Sequence, residues 1–346
     1  MKCTDNKRRK RRRRLSKRER RRRALIRLIV RTLTLLCFVL IIFVIFRFIT
    51  GGKDKAFEYE SETYNKSYHK EELFASSLCV VDTESTDTLS DTSDLKAYGL
   101  FNIEQSDTVY AYQVLDKLYP ASTTKIMTAL VAMENASLSD IVTIGKNACS
   151  SSFAWDEQTC GLREGDSVSL EALLHGLLLY SGNDAAFAIA EHVAGSEEAF
   201  AEMMNTKAKE LMATSSNFKN ASGLYAVDHY TSAYDLYLIF NACMKHDEFV
   251  KIIGSDSYTA EIQRGNSEIV KKKWEPTNFY ALGKAKSPEH VKVIGGKTGT
   301  LEVAGNCLIL MAEDQNTNPY ISVVMGADTK ELLYKDMTSL LSQISR

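Results

Sequence analysis

Residues 1–50 of this 346-residue chain cannot belong to the same folded body as the rest. From Lys7 to Arg23 almost every side chain is Lys or Arg, a block that repels itself and has nothing to bury. It runs into ALIRLIVRTLTLLCFVLIIFVIFRFIT at residues 24–50, in which Thr32 to Phe46 is uncharged. As a helix that uncharged run spans only about 22 Å, short of a hydrocarbon core of roughly 30 Å. Extended from Leu28 to Ile49 it reaches about 33 Å, with Arg31 and Arg47 snorkelling toward the head groups. One membrane anchor over residues 24–50 is expected. The excess of Lys and Arg puts residues 1–23 in the cytoplasm and everything beyond Gly51 outside the cell membrane. A cleaved signal peptide fits less well, because the basic segment is very long and Ile49-Thr50-Gly51-Gly52 is a poor small-x-small cleavage site.

The formal net charge of -1 conceals this division. Residues 1–50 hold 18 Lys/Arg against Asp5 and Glu19, or +16, which leaves 25 basic and 42 acidic residues, or -17, for residues 51–346. A body so acidic is poorly suited to nucleic acid, whose binding rests on neutralising phosphates, so no nucleic-acid partner is expected. With 45% hydrophobic and 25% charged residues the chain is not a disordered, fibrous or disulfide-scaffold protein. Residues 51–74 are polar and aperiodic and read as a stalk, leaving residues 75–346 for one large domain.

Within that domain SSLCVVD (76–82) and VYAYQV (109–114) read as strands. Apolar residues recur at helical spacing from Ser122 to Asn135, LEALLHGLLLY (170–180) is an apolar helix, and helical patterns return over 184–193, 197–212 and 231–245. Three apolar runs with Gly and polar connectors follow at 291–300, 306–313 and 320–328, and then a helix over 331–344. The fold class expected is α+β: an antiparallel sheet closed by the first and last segments, with flanking helices and an inserted helical cluster. Cys149 and Cys160 bracket one polar stretch and either close a small disulfide loop or remain free thiols; the spacing leaves both open.

Three short motifs carry chemistry. Ser122-Thr123-Thr124-Lys125 opens a helix just after Pro120, and i, i+3 spacing puts the Ser hydroxyl and the Lys amine on one face. A desolvated Lys can take the proton of a Ser nucleophile, and the helix N-terminus favours a nearby oxyanion. Alone, the motif reads first as an N-cap Ser with an exposed Lys, since Ser followed three residues later by Lys arises by chance in a chain this long. Ser181-Gly182-Asn183 sits between two helices, where a hydroxyl and an amide can face one pocket to relay a proton and hold a substrate amide; a capped turn would look the same. Lys297-Thr298-Gly299-Thr300 closes an apolar strand. Lys297 and Thr298 can bind a carboxylate, Gly299 keeps the strand clear for a ligand, and the Thr300 N–H can oppose that of Ser122 as a two-donor oxyanion hole. By itself it is also a hairpin turn. The order decides: S-x-x-K, then S-x-N 59 residues later, then K-T-G 116 residues after that, is the set of the penicillin-recognising serine enzymes.

The chain resembles the D-alanyl-D-alanine carboxypeptidases, low-molecular-weight penicillin-binding proteins of the serine peptidase type. The likeness extends beyond the triplets to YPASTTKIMTALVAME, VSLEALLHGLLLYSGNDAAFAIAEHVAGS, NFKNASGL with HYTSAYDL, PTNFYAL and GGKTGTLEVAGNCLILMA, from about residue 75 to the C-terminus. It implies a β-lactamase/transpeptidase-like fold and an acyl-enzyme on Ser122, formed by attack on the carbonyl between two terminal D-alanines of a peptidoglycan stem peptide. Lys125 is then the base, Ser181 the proton relay and Asn183 the holder of the peptide amide. Lys297 and Thr298 hold the terminal carboxylate, and the N–H groups of Ser122 and Thr300 hold the oxyanion. β-Lactams are implied as covalent inhibitors, and no metal or cofactor is expected. The family usually carries a C-terminal β-rich domain and an amphipathic membrane helix, whereas here the anchor is expected at the N-terminus. The competing readings are a β-lactamase, which needs a carboxylate-held water that no motif supplies, and a non-catalytic wall-binding module. His175 is expected as a core histidine, Asp228 and His229 as capping or paired groups, and Trp155 as a packing or surface side chain rather than a sugar platform.

Overall fold

The computed structural model describes residues 26, 29–42, 78–81 and 95–344. The chain divides into two units, Met1–Glu72 and Leu73–Arg346. In the first, residues 29–42 form a helix about 21 Å long at 1.5 Å per residue. Every side chain on it is exposed, Leu35 to 70% and Phe38 to 69%. Among the described residues no helix is long and apolar enough to cross a membrane. The anchor expected over 24–50 extends past this helix at both ends, and the tail (1–23) and stalk (51–74) lie outside the described residues.

The second unit contains strands β1 (Ala97–Asn102), β2 (Asp107–Tyr112), β3 (Ile141–Thr143), β4 (Ser167–Ser169), β5 (Tyr258–Gln263), β6 (Ile269–Trp274), β7 (Lys292–Leu301), β8 (Gly305–Glu313) and β9 (Pro319–Ala327). Its helices are α1 (Lys125–Asn135), α2 (Leu170–His175), α3 (Asn183–Ala194), α4 (Glu197–Glu210), α5 (Ala233–Cys243), α6 (Asp247–Ile253) and α7 (Lys330–Leu341). The main sheet runs β2-β1-β9-β8-β7 with every pairing antiparallel, so the first and last strands do close it around the helical insertion.

This sheet is buried on both faces. Phe101, Ile309, Ile321 and Val323 enter a core shared with the helical cluster, while Leu100, Leu308, Leu310 and Val324 enter a second core against Leu333, Met337 and Leu340 of α7. Two-sided burial removes polar alternation, and Gly99 and Asn102 break the apolar run, so β1 carries no legible strand signal. The strand expected at 76–82 does not form over its described residues, 78–81. β1 already pairs with β2 and β9, and the Cys79 backbone is satisfied by side chains instead: its N–H donates to the Tyr237 hydroxyl (2.8 Å) and its carbonyl accepts from the Tyr234 hydroxyl (2.9 Å).

The helices begin where caps permit. Ser169, Ser196, Ser232 and Thr329 accept the N–H of Ala172, Ala199, Asp235 and Leu332, contacts worth about 1 kcal/mol each. The single helix expected at 170–180 is α2 followed by a π-helical turn, Gly176–Tyr180, which ends at Ser181 in the left-handed region with φ 67°. A second sheet, β3-β4-β5-β6, and the short α6 went unanticipated, since β3 and β4 are three residues each. The basic stretch before KTG forms β6: Lys271 faces solvent and pairs with Glu261 across the sheet, Lys273 pairs with Glu275 two residues on, and Lys272 turns inward to the carbonyls of Cys160 and Gly161, 3.1 Å each. No disulfide joins Cys149 to Cys160, and both are free thiols. Cys149 hydrogen-bonds Ser151, whereas Cys160 is buried so close to Gly176 and Gly182 that a Cβ on either would meet its Sγ at 2.6 and 2.4 Å.

Candidate active site

The nucleophile turn is set by its approach. Ala121 takes φ 48° after Pro120, residues Ala121–Thr124 wind as a 3-10 turn, and α1 begins at Lys125. Lys125 therefore projects one turn beyond Ser122, with Nζ 3.0 Å from the Ser122 Oγ. Its other partners are Asn183 Oδ1 (2.8 Å) and the Ser222 carbonyl (2.6 Å), which occupy the remaining capacity of an ammonium. The side chain is fully buried, and burial pulls its pKa down to about 7 against a weaker upward pull from Asp184. Near neutrality, much of Lys125 is an amine able to accept a proton.

The second motif follows the π turn. The Gly182 N–H returns to the Gly176 carbonyl (2.9 Å), and the Asn183 N–H donates to the Gln158 carbonyl (2.8 Å) as α3 begins. Asp184, next in sequence, accepts the N–H groups of Cys160 (2.7 Å), Leu162 (3.0 Å) and Ala185 (2.9 Å) and so fastens the 158–162 loop to the start of α3. Ser181 Oγ accepts from Lys297 Nζ at 2.8 Å, the lysine of the third motif.

The third motif lies on β7, the edge strand of the sheet. Lys297 is buried, donates also to the Thr298 carbonyl (2.9 Å), and is held well below the usual lysine range by burial, reinforced by the Lys125 charge. Thr298 Oγ1 is 2.6 Å from Thr277 Oγ1, and Thr300 Oγ1 donates to Asn306 Oδ1 (3.1 Å). A Cβ on Gly299 would lie 2.9 Å from the Pro120 carbonyl oxygen and 3.1 Å from the Ser122 and Thr123 nitrogens; the strand edge touches the nucleophile turn only because it has no side chain there.

Ser122, Ser181, Thr298 and Thr300 line one cavity of 160 Å³, together with Gln158, Thr277, Phe279, Lys330, Leu333 and Tyr334. Several of these were not singled out as site residues from the sequence. Thr277 and Phe279 lie in PTNFYAL and Ser222 in NASGL, segments whose likeness to the carboxypeptidases was already legible. Lys330, Leu333 and Tyr334 share a face of α7, a spacing that also suits an ordinary surface helix. His229 is buried beside the nucleophile turn: Nε2 is 3.0 Å from Thr124 Oγ1, and Nδ1 accepts the Lys219 N–H (3.3 Å). Burial, aided by Lys219, holds its pKa at about 4, so the ring is neutral near pH 7. His175 is a core residue, stacked on Tyr258 at 3.7 Å, and Trp155 is 97% exposed.

A family model described as D-alanyl-D-alanine carboxypeptidase matches residues 80–329. The chain belongs to the D-alanyl-D-alanine carboxypeptidase family. Within the family it is 33% identical over 254 residues to the D-alanyl-D-alanine carboxypeptidase DacF of Bacillus subtilis, covering 72% of this chain and 61% of that protein. It is 32% identical over 256 residues to the D-alanyl-D-alanine carboxypeptidase DacC of Escherichia coli, covering 72% and 60%. The chain thus spans about three fifths of the length of these curated relatives. Among solved structures, the Streptomyces K15 DD-transpeptidase superposes with a TM-score of 0.67 at 27% identity, over 72% of this chain and 96% of that one. A Mycobacterium tuberculosis D-alanyl-D-alanine carboxypeptidase gives 0.64 at 25%, over 72% and 90%. The antiparallel α+β architecture described above is that of the family's DD-peptidases.

Proposed function

We propose that this protein is a membrane-anchored serine D-alanyl-D-alanine carboxypeptidase that removes the terminal D-alanine from peptidoglycan stem peptides. The observation that carries the reading is the buried Lys125 amine, 3.0 Å from Ser122 Oγ and with a pKa near 7. In this mechanism Lys125 takes the Ser122 proton as Oγ bonds to the carbonyl carbon, and the N–H groups of Ser122 and Thr300 hold the oxyanion. Asn183 orients the donor amide. The C–N bond then breaks and D-alanine leaves as an amine, its nitrogen taking through Ser181 the proton that Lys125 removed from Ser122, while Lys297 keeps the Ser181 hydroxyl oriented. Thr298 and Lys330, which both line the cavity, receive the terminal carboxylate. Lys125 next activates water to free the shortened peptide. β-Lactams enter the same path and stop at the acyl-Ser122.

The anchor reading rests on the +16 charge of residues 1–50 and on the apolar helix 29–42, whose side chains are all exposed. In it the N-terminus is cytoplasmic and the -17 body works outside, with no role in nucleic-acid binding. The detergent-solubilised full chain should form a covalent adduct with a fluorescent penicillin, mapped to Ser122, and should require detergent rather than salt for release from membranes. An unlabelled protein rules out the chemistry, and salt release rules out the anchor.

A second reading, DD-transpeptidation, is favoured by the likeness to the Streptomyces K15 DD-transpeptidase. It differs only in the acceptor, and an added D-amino acid that diverts most of the acyl-enzyme from hydrolysis would select it.

Gly299→Ala tests the strand contact. The new methyl should push β7 off the nucleophile turn and slow penicillin labelling about 10²-fold, the scale of an ångström-sized misplacement. Labelling within twofold of the parent would show that the contact is immaterial.

A further inference from the structure

Of the three lysines on β6, Lys271 and Lys273 pair with carboxylates, whereas Lys272 is half-buried and turns its ammonium to backbone: Nζ donates to the Cys160 and Gly161 carbonyls at 3.1 Å each. Asp184, fully buried at the start of α3, accepts the N–H groups of Cys160 (2.7 Å) and Leu162 (3.0 Å) of the same loop. Among the described residues neither Lys272 nor Asp184 takes part in an ion pair. The peptide unit joining Gly161 to Leu162 is therefore held at both ends, its oxygen on an ammonium and its N–H on a carboxylate. The N–H and C=O of a trans peptide point in opposite directions, so opposite charges at the two ends favour one orientation of the peptide dipole. Gly161 makes the approach possible: it takes φ 72°, and a Cβ there would collide with Lys272 Nζ. The loop abuts the second motif. Gln158 lines the cavity at Ser122, its carbonyl accepts the Asn183 N–H (2.8 Å), and Asn183 Oδ1 in turn accepts from Lys125 Nζ (2.8 Å). A Cβ on Gly182 would lie 2.8 Å from Asp184 Oδ1 and 3.2 Å from the Cys160 nitrogen.

We propose that Lys272 and Asp184 are positioning residues for the acylation step, clamping the loop 158–162 between opposite charges so that Gln158 and Asn183 stay in place around Ser122 and Lys125. The inference rests on the peptidase reading of Ser122. Asp184 acts in a second way, through its charge. Burial lowers the proton affinity of Lys125, and Lys297 on β7 works in the same direction. The other groups facing Lys125 are the Cys160 thiol, which burial keeps protonated, and the carboxylates of Asp184 on α3 and Glu157 beside the loop, which oppose the burial. Of these two carboxylates Asp184 is fully buried and Glu157 half-buried, so the Asp184 charge is the less screened.

The test uses the detergent-solubilised full chain and reads the rate of labelling by a fluorescent penicillin as a function of pH. Lys272→Met keeps the side-chain stem and removes the ammonium; it should slow labelling about 10-fold or more, short of the roughly 10²-fold cost of an ångström-sized misplacement. Lys272→Arg, which returns a cation with several donors, should restore the rate to within about threefold of the wild type. Gly161→Ala, whose methyl displaces the ammonium, is the independent variant and should slow labelling likewise. Asp184→Asn keeps the shape and removes the charge, so the acid limb set by Lys125 should move from about 7 to lower pH, by about half a unit or more. If that variant does not fold, the Lys272 series decides alone. Labelling of Lys272→Met within about twofold of the wild type overturns the clamp, as does a Lys272→Arg that melts like the wild type yet labels as slowly as Lys272→Met. An unmoved acid limb in folded Asp184→Asn overturns the role of its charge. A wild type that does not label at all overturns the peptidase reading, and the clamp's part in acylation with it.

Discussion

Ser122→Ala is expected to lose penicillin labelling altogether and to lower D-alanine release by on the order of 10⁴-fold or more, the scale seen when a covalent nucleophile is removed from a preassembled site. Stability should hardly change. Ser122 is half-buried, and its loss leaves the buried Lys125 with the Asn183 oxygen at 2.8 Å and the Ser222 carbonyl at 2.6 Å. The burial of that lysine therefore remains compensated, and thermal unfolding should stay within a few degrees of the parent. A large drop in melting temperature accompanying the loss of activity would mean that Ser122 holds the turn together rather than reacting in it.

Lys125→Met is expected to cost about 10²–10⁴-fold in the acylation rate, the usual contribution of a positioned general base. Met nearly fills the same volume but accepts no proton, and it strands Asn183 Oδ1 and the Ser222 carbonyl, so destabilisation should accompany the loss. The sharper readout is pH. The reactive form of Lys125 is the neutral amine, whose pKa burial brings to about 7. Acylation should rise about tenfold per pH unit below that value and level off above it. Linkage gives an independent sign. Unfolded lysine stays protonated up to roughly pH 10, whereas the folded side chain sheds its proton near 7. Between those values the unfolded state binds more protons, so this group makes stability rise with pH. An acid limb centred below pH 5 would place the proton acceptor on another residue.

The parts of the site legible in the sequence are those whose geometry is fixed by local spacing. Ser122 and Lys125 meet because i and i+3 share a helix face, and the close approach at Gly299 needs a residue without a side chain, which is visible as a letter. Groups that act through the backbone leave no such trace. The Ser222 carbonyl that binds Lys125 would look the same from almost any residue type, and its position comes from a loop whose Gly223, at φ 84°, lies against the Ala121 carbonyl. Long-range assembly hid the cavity wall: Phe279 and Tyr334 are 55 positions apart and meet only once α7 packs on the sheet. The π turn before Ser181 was invisible for another reason. An unbroken apolar run such as LEALLHGLLLY signals burial without revealing where the helix widens. Cysteine spacing left a disulfide and free thiols both open, and burial decides for the thiols, since Cys160 fills the space beneath Gly182.

The central claim, that Ser122 and Lys125 form the nucleophile–base pair of a DD-carboxypeptidase, is tested most directly by mass-spectrometric detection of D-alanine release from a stem pentapeptide, with Ser122→Ala run alongside. Stoichiometric and continuing release of one D-alanine per peptide by the wild type, and none above background by the variant, is the predicted result. Intact pentapeptide after prolonged incubation with the folded wild type, or equal release by the variant, would contradict it.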